Sequence, residues 1–257
     1  MRLIQRPSPN FNDRREALDL LVLHYTGMED GETAEARLCE SAAEVSAHYV
    51  VREDGTVVQM VAEDKRAWHA GVAAWQGEND LNSRSIGIEI INGGHDFPLA
   101  GNVLPPFPHV QVAAVISLCR AILSRHGILP TRIVGHSDIA PTRKRDPGEH
   151  FPWQTLADAG IGLWPSPEPA LDGSTVRGRG LDRGETSASV ERMQAMLVSI
   201  GYDLSVTGTY DENTQAVVTA FQRRWRPEQI TGQADLSCLA MIGAVRALYC
   251  AAEDGEA

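Results

Sequence analysis

Two histidines, an aspartate and a glutamate stand out in this chain by type and position. His24 lies at the end of the apolar run DLLVLHYT, and His136 closes a second run, RIVGH. Strand ends are where α/β sheets present functional groups, so both imidazoles are candidates for chemistry. Ten residues after His136, Asp146 opens Asp146-Pro147-Gly148, a tight-turn sequence whose proline limits the reach of the carboxylate. Two imidazoles and one carboxylate make a three-ligand zinc set, leaving the open fourth position that a catalytic zinc needs for water. Each histidine taken singly also fits a hydrogen-bonded core residue, and spacing alone does not establish that the three meet.

Glu89 places a carboxylate inside SIGIEII, a strand otherwise filled with isoleucine. An unpaired buried charge is costly, so Glu89 is either paired, for instance with Arg84, or held for function. If it faces a metal, burial raises its pKa toward that of a general base working near neutrality. Lys144 belongs to Thr142-Arg143-Lys144-Arg145, two residues before Asp146. Such a basic run is ordinarily a solvated face. Tethered beside a metal ligand, one of its members can reach a developing oxyanion, a role worth about 3–4 kcal/mol.

The elements that must position these groups form an α/β pattern. Asp19 to Thr26 and Ile86 to Ile91 predict core strands, and Val45 to Val51 with Thr56 to Val61 predict a hairpin about Glu53-Asp54-Gly55. Glu32 to Ala43 and Val110 to His126 predict helices, and Arg132 to His136 a short strand. A Pro- then Gly/Ser/Arg-rich stretch, residues 164–189, has no apolar periodicity and reads as a linker. It divides a domain over 1–163 from a helical domain over 190–250. There Val190 to Ile200, Glu212 to Trp225 and Leu236 to Leu248 predict a three-helix bundle with little core of its own.

LVLHYTG around His24, AWHAG from Ala67, LNSRSIGIEIIN from Leu81 and GHSDIAPTRKRDPGEHFPW from Gly135 together resemble the zinc-dependent type 2 N-acetylmuramoyl-L-alanine amidases. That family shares its fold with peptidoglycan recognition proteins and phage lysozyme-amidases. The resemblance covers Pro9 to Leu156 and implies a central mixed β-sheet flanked by helices. It implies His24, His136 and Asp146 as ligands of one zinc ion, Glu89 as general acid/base and Lys144 as oxyanion stabiliser. Tyr25, Trp68, His69, Asn92 and Arg84 are its substrate-binding candidates. The implied reaction is hydrolysis of the amide joining N-acetylmuramic or anhydro-muramic acid to L-alanine, in peptidoglycan or muropeptides. A noncatalytic sensor on the same fold lacks a metal ligand or the acid/base, whereas every one of those residues is present here. VERMQAMLVSIGYDLSVTGTYDENTQAVVTAFQRRW is similar to the three-helix peptidoglycan-binding domain.

The chain has 257 residues and a formal net charge of −11, which opposes the attraction that nonspecific nucleic-acid binding relies on. The C-terminal segment from Arg177 is itself acidic, with eight basic against eleven acidic residues. Cys39, Cys119, Cys238 and Cys250 form no C-x-x-C pair and read as reduced thiols. The first residues, MRLIQRPSPNFNDRR, hold no apolar core of a secretory signal, and no uninterrupted apolar run approaches the 18 or so residues of a membrane span. The missing signal favours a cytoplasmic location, and the wall-binding resemblance favours a periplasmic or wall-associated one.

Overall fold

A computed structural model describes residues 2–165 and 179–255, so the middle of the expected linker lies outside the described residues. The amidase-like half contains, in order, β1 (Arg2–Gln5), β2 (Phe11–Asp13), β3 (Leu20–Tyr25), α1 (Gly31–Cys39), β4 (Tyr49–Val51), β5 (Thr56–Gln59) and β6 (Lys65–Ala67). It continues with α2 (Leu81–Arg84), β7 (Ser85–Ile90), α3 (His109–His126), β8 (Ile133–Gly135), α4 (His136–Ile139) and α5 (Trp153–Asp158). Six strands form one mixed sheet in the order β1-β5-β4-β7-β3-β8, and β2 pairs with β6 separately. Only the β4–β5 hairpin is antiparallel within the large sheet. Its turn is closed by Asp54, whose Oδ1 accepts from the Thr56 N–H at 2.8 Å.

The two central strands are buried on both faces, which is why they read as near-continuous apolar runs. Strand alternation sends Leu21, Leu23, Ile86, Ile88 and Ile90 against α3. It sends Leu20, Val22 and His24 to the opposite face, where Ser85, Gly87 and Glu89 of β7 also project. In parallel register His24 is the neighbour of Glu89, so the two candidate groups start side by side.

Several elements differ in detail from their sequence-based bounds. The first helix ends at Cys39 and is followed by a 3-10 turn over Ser41–Ala43. The strand expected over Arg132 to His136 stops at Gly135, because the Asp138 carboxylate takes the Gly135 N–H at 2.8 Å and starts a turn of helix. His136 therefore opens α4 instead of ending a strand.

The C-terminal half is built from α6 (Ala188–Ile200), α7 (Glu212–Trp225) and α8 (Leu236–Glu253). Side chains of Ser187, Asp211 and Asp235 cap them by accepting first-turn N–H groups. Residues ahead of α6 also pack here, since Leu181 is buried and bridges to Ala234. The bundle does not rely on a small core of its own: Trp75, Leu81, Val134 and Ile139 of the other half join its apolar cluster. Trp75 meets Tyr202 edge to face at 5.1 Å. Gly201 makes this possible, for its φ of +135° and a Cβ only 2.6 Å from the Trp75 ring both exclude a side chain. Among the described residues α8 alone is long and apolar enough to cross a membrane by length and composition, and it buries Cys238, Met241, Ile242, Val245 and Tyr249 in the bundle.

One ion cluster ties the end of α3 to the sheet. Glu63 accepts from Tyr49 Oη, Arg125 and His126 at 2.5–3.0 Å. Burial alone would raise its pKa, but these hydrogen bonds outweigh burial and hold the carboxyl at about 2. A carboxyl lowered in the folded state stabilises above its unfolded value and loses that stability as pH falls toward the folded one. Urea melts should show the parent losing on the order of 2 kcal/mol between about pH 4.5 and 2 on account of this group, after screening at the half-exposed Arg125. Glu63→Gln should be less stable at pH 7 and show a correspondingly flatter acid limb. Parallel acid limbs in the two proteins would rule the cluster out.

Candidate active site

Three side chains from separate elements converge at the ends of β3 and β8. His24 Nδ1 lies 2.9 Å from His136 Nδ1 and 2.9 Å from Asp146 Oδ2, and His136 Nδ1 lies 3.0 Å from the same carboxylate oxygen. All three residues are buried. The Asp146 carbonyl accepts from the Ser137 N–H at 2.9 Å, which couples the aspartate to the turn carrying His136.

The outer nitrogens of the two rings decide where their protons sit. His136 Nε2 is 3.0 Å from the Ala70 carbonyl, an acceptor, so Nε2 carries the proton and Nδ1 presents a lone pair inward. His24 Nε2 is 3.0 Å from His69 Nδ1, and His69 Nε2 is 3.2 Å from Ser85 Oγ. Ser85 in turn donates to the Leu81 carbonyl. Because that last acceptor has no proton, the chain runs one way: His69 donates to Ser85, His24 donates to His69, and His24 Nδ1 also faces inward bare. Burial, then the neighbouring His136, lowers the His24 pKa to about 4, which keeps the ring neutral.

Two bare nitrogens and a carboxylate oxygen thus face one another at 2.9–3.0 Å with no proton to share among them. That arrangement is repulsive by itself and fits a bound cation, so the donor set passes the test for a metal site.

A cleft of about 560 Å³ opens on this cluster, lined by Tyr25, Trp68, His69, Glu89, His136, Lys144 and Asp146 among others. Glu89 Oε2 is buried without a hydrogen-bond partner. Burial, and then the negative Asp146, push its pKa well up, against the pull of Lys144. The alternative pairing with Arg84 is absent, because Arg84 is engaged by Asp19, Glu16 and Glu78. Gly87 explains why β7 has no side chain between Ser85 and Glu89: a Cβ there would stand 2.4 Å from the His69 ring.

Five substrate-binding candidates divide accordingly. Tyr25, Trp68 and His69 line the cleft. Tyr25 Oη reaches His95 Nδ1 at 3.0 Å, and Trp68 Nε1 donates to Asn12. His69 also stands directly behind His24. Asn92 is buried, donating to the Pro105 carbonyl and accepting from the Gly94 N–H, and neither it nor Arg84 lines the cleft. Sequence reasoning missed Ser85, Arg143 and Asp138. Arg143 donates to the Ala70 and Val72 carbonyls, holding the segment that supports His136. Its signal was the basic run Thr142-Arg143-Lys144-Arg145, in which Lys144 alone was given a role.

Comparisons with known proteins bear on the family and the fold. Residues 14–149 match the family described as N-acetylmuramoyl-L-alanine amidase, and residues 186–242 match a putative peptidoglycan binding domain. The N-acetylmuramoyl-L-alanine amidase AmiD of Escherichia coli is 35% identical, with 96% of this chain and 91% of that protein aligned. Its structure in complex with the substrate anhydro-N-acetylmuramic acid-L-Ala-D-gamma-Glu-L-Lys covers 93% of this chain and 98% of that one with a TM-score of 0.77. AmpDh3 from Pseudomonas aeruginosa, in complex with anhydromuramic pentapeptide, is 30% identical with a TM-score of 0.76, covering 95% and 96% of the two chains. Matches of that extent include both halves in a similar mutual arrangement. The cleft, the donor triangle and these likenesses lead to one assignment: the chain belongs to the N-acetylmuramoyl-L-alanine amidase family of hydrolases.

Proposed function

We propose that the cleft hydrolyses the amide between N-acetylmuramic or anhydro-muramic acid and L-alanine in muropeptides or peptidoglycan, with His24, His136 and Asp146 holding one zinc ion. The observation that carries this reading is the triangle of unprotonated donors beside an unpartnered Glu89 carboxylate. A zinc ion in that set supplies Lewis acidity to the scissile carbonyl and acidifies water.

Glu89, whose pKa burial and the nearby Asp146 raise, takes a proton as water adds to the carbonyl carbon. It returns that proton to the alanine nitrogen as the C–N bond breaks, leaving a muramic carboxylate and a free peptide amine. Lys144 places a positive charge beside the oxygen that becomes negative in between. His69 fixes the ring orientation of His24 through its hydrogen bond and so acts as a positioning residue. Tyr25 and Trp68 offer aromatic faces to the sugar and stem.

The test is release of L-alanine-headed peptide from a soluble anhydro-muropeptide and from intact sacculi, each with and without a chelator. Release that stops on chelation and returns with zinc is the expected result, and the relative rates identify the preferred form of substrate. Chelator-resistant release, or none from either substrate, would overturn the reading.

A further inference from the structure

Consecutive arginines at the end of α7 leave the bundle and enter the other half of the molecule. Arg224 is almost fully buried, and its Nη1 donates to Asp138 Oδ2 at 2.7 Å while Nη2 donates to the Ile133 carbonyl at 3.1 Å. Its guanidinium lies over Trp153 at 4.1 Å and over Trp225 at 4.5 Å. Tyr202, also from the bundle, donates to Asp138 Oδ1 at 3.0 Å. Asp138 stands two residues after His136 in α4 and accepts from the Gly135 N–H just before it. Arg223 Nε lies 3.4 Å from Oε2 of Glu149, three residues after Asp146, an ionic contact without a hydrogen bond. Glu149 in turn meets His95, the partner of Tyr25 in the cleft.

We infer that the C-terminal bundle is a positioning part of the metal centre: Arg224 and Tyr202 acting through Asp138, and Arg223 acting through Glu149, hold the segment that carries His136 and Asp146. A buried ion pair is a weak source of stability, since desolvation offsets its attraction, but its hydrogen bonds select one geometry. Here that geometry is the turn from Gly135 into His136. Arg224 holds the donor-bearing segment by hydrogen bonds on one side and Arg223 adds an ionic contact on the other, so a shift of α7 moves both together. The bundle then serves donor placement as well as any contact with the cell wall.

The inference rests on the metal reading, and the experiment separates the two. Full-length apo-protein is titrated with zinc against a chromophoric chelator, with circular dichroism and thermal melting on the same samples. The parent should bind one zinc and His136→Ala should not; a parent that binds none overturns the metal reading and the inference with it. Arg224→Met should bind zinc about 10–100-fold more weakly, the range seen when outer partners of metal ligands are removed. Tyr202→Phe, which deletes one hydroxyl, should weaken it severalfold. Met193→Ala, in the bundle core on the side lined by Leu181, Met196 and Leu239, should lower the melting temperature and leave zinc affinity unchanged, which a purely structural role of the bundle would make the outcome for every variant. A folded Arg224→Met with affinity within about twofold of the parent overturns the inference. If Arg224→Met does not fold, Tyr202→Phe with parental affinity does so.

Discussion

Glu89→Gln should retain zinc and lose about 100- to 10,000-fold in turnover, the range over which a positioned acid/base contributes. The substitution keeps shape and removes the ability to accept a proton, and no neighbour replaces it. Asp146 belongs to the donor triangle with both histidines, and among the described residues Glu89 Oε2 has no hydrogen-bond partner. The variant also relieves a buried carboxylate beside Asp146, so its melting temperature should rise or stay level while activity falls. Initial rates of peptide release, with metal content measured on the same preparation, give both numbers. A variant that hydrolyses muropeptide at the parental rate would remove Glu89 from the reaction.

Asp146→Ala should lose metal first and activity as a result. It removes the one anionic donor and leaves two neutral imidazoles, so zinc affinity should fall by at least about 100-fold. The main-chain bond from Ser137 N–H to the residue 146 carbonyl survives the change, so the turn itself should keep its shape. Competition with a chelator reads the affinity directly, and excess zinc should restore only part of the turnover. Parental stoichiometry under chelation would exclude Asp146 from the donor set.

How much of this was legible beforehand depends on how local each feature is. The strands bearing His24 and Glu89 declare themselves by short β-branched runs, because burial on both faces leaves no room for polar alternation. Convergence of His24 with His136 spans 112 residues and is set by β3 pairing with β8, which no local pattern encodes. Residue types at strand ends suggested the donor set, the family resemblance singled it out, and the structure places those donors together. The resemblance had nothing to say about Ser85, whose hydroxyl completes the hydrogen-bond chain that orients His24. Asn92 matched the same sequence block yet serves the loop behind the cleft, since a motif transmits fold determinants together with functional groups. In FQRRW nothing in the helical pattern assigns the two arginines a partner. Their acidic partners lie in the other half of the chain, so burial at those positions is a property of docking that helical periodicity does not report.

The ion pair between Asp138 and Arg224 also bears on how freely the two modules can be exchanged. A chimera carrying a different C-terminal module would strip that carboxylate of its guanidinium and of the Tyr202 hydroxyl, leaving it only the Gly135 amide. Any graft onto this hydrolase must therefore bring its own arginine to the same spot, or trade the aspartate for a neutral residue at the same time.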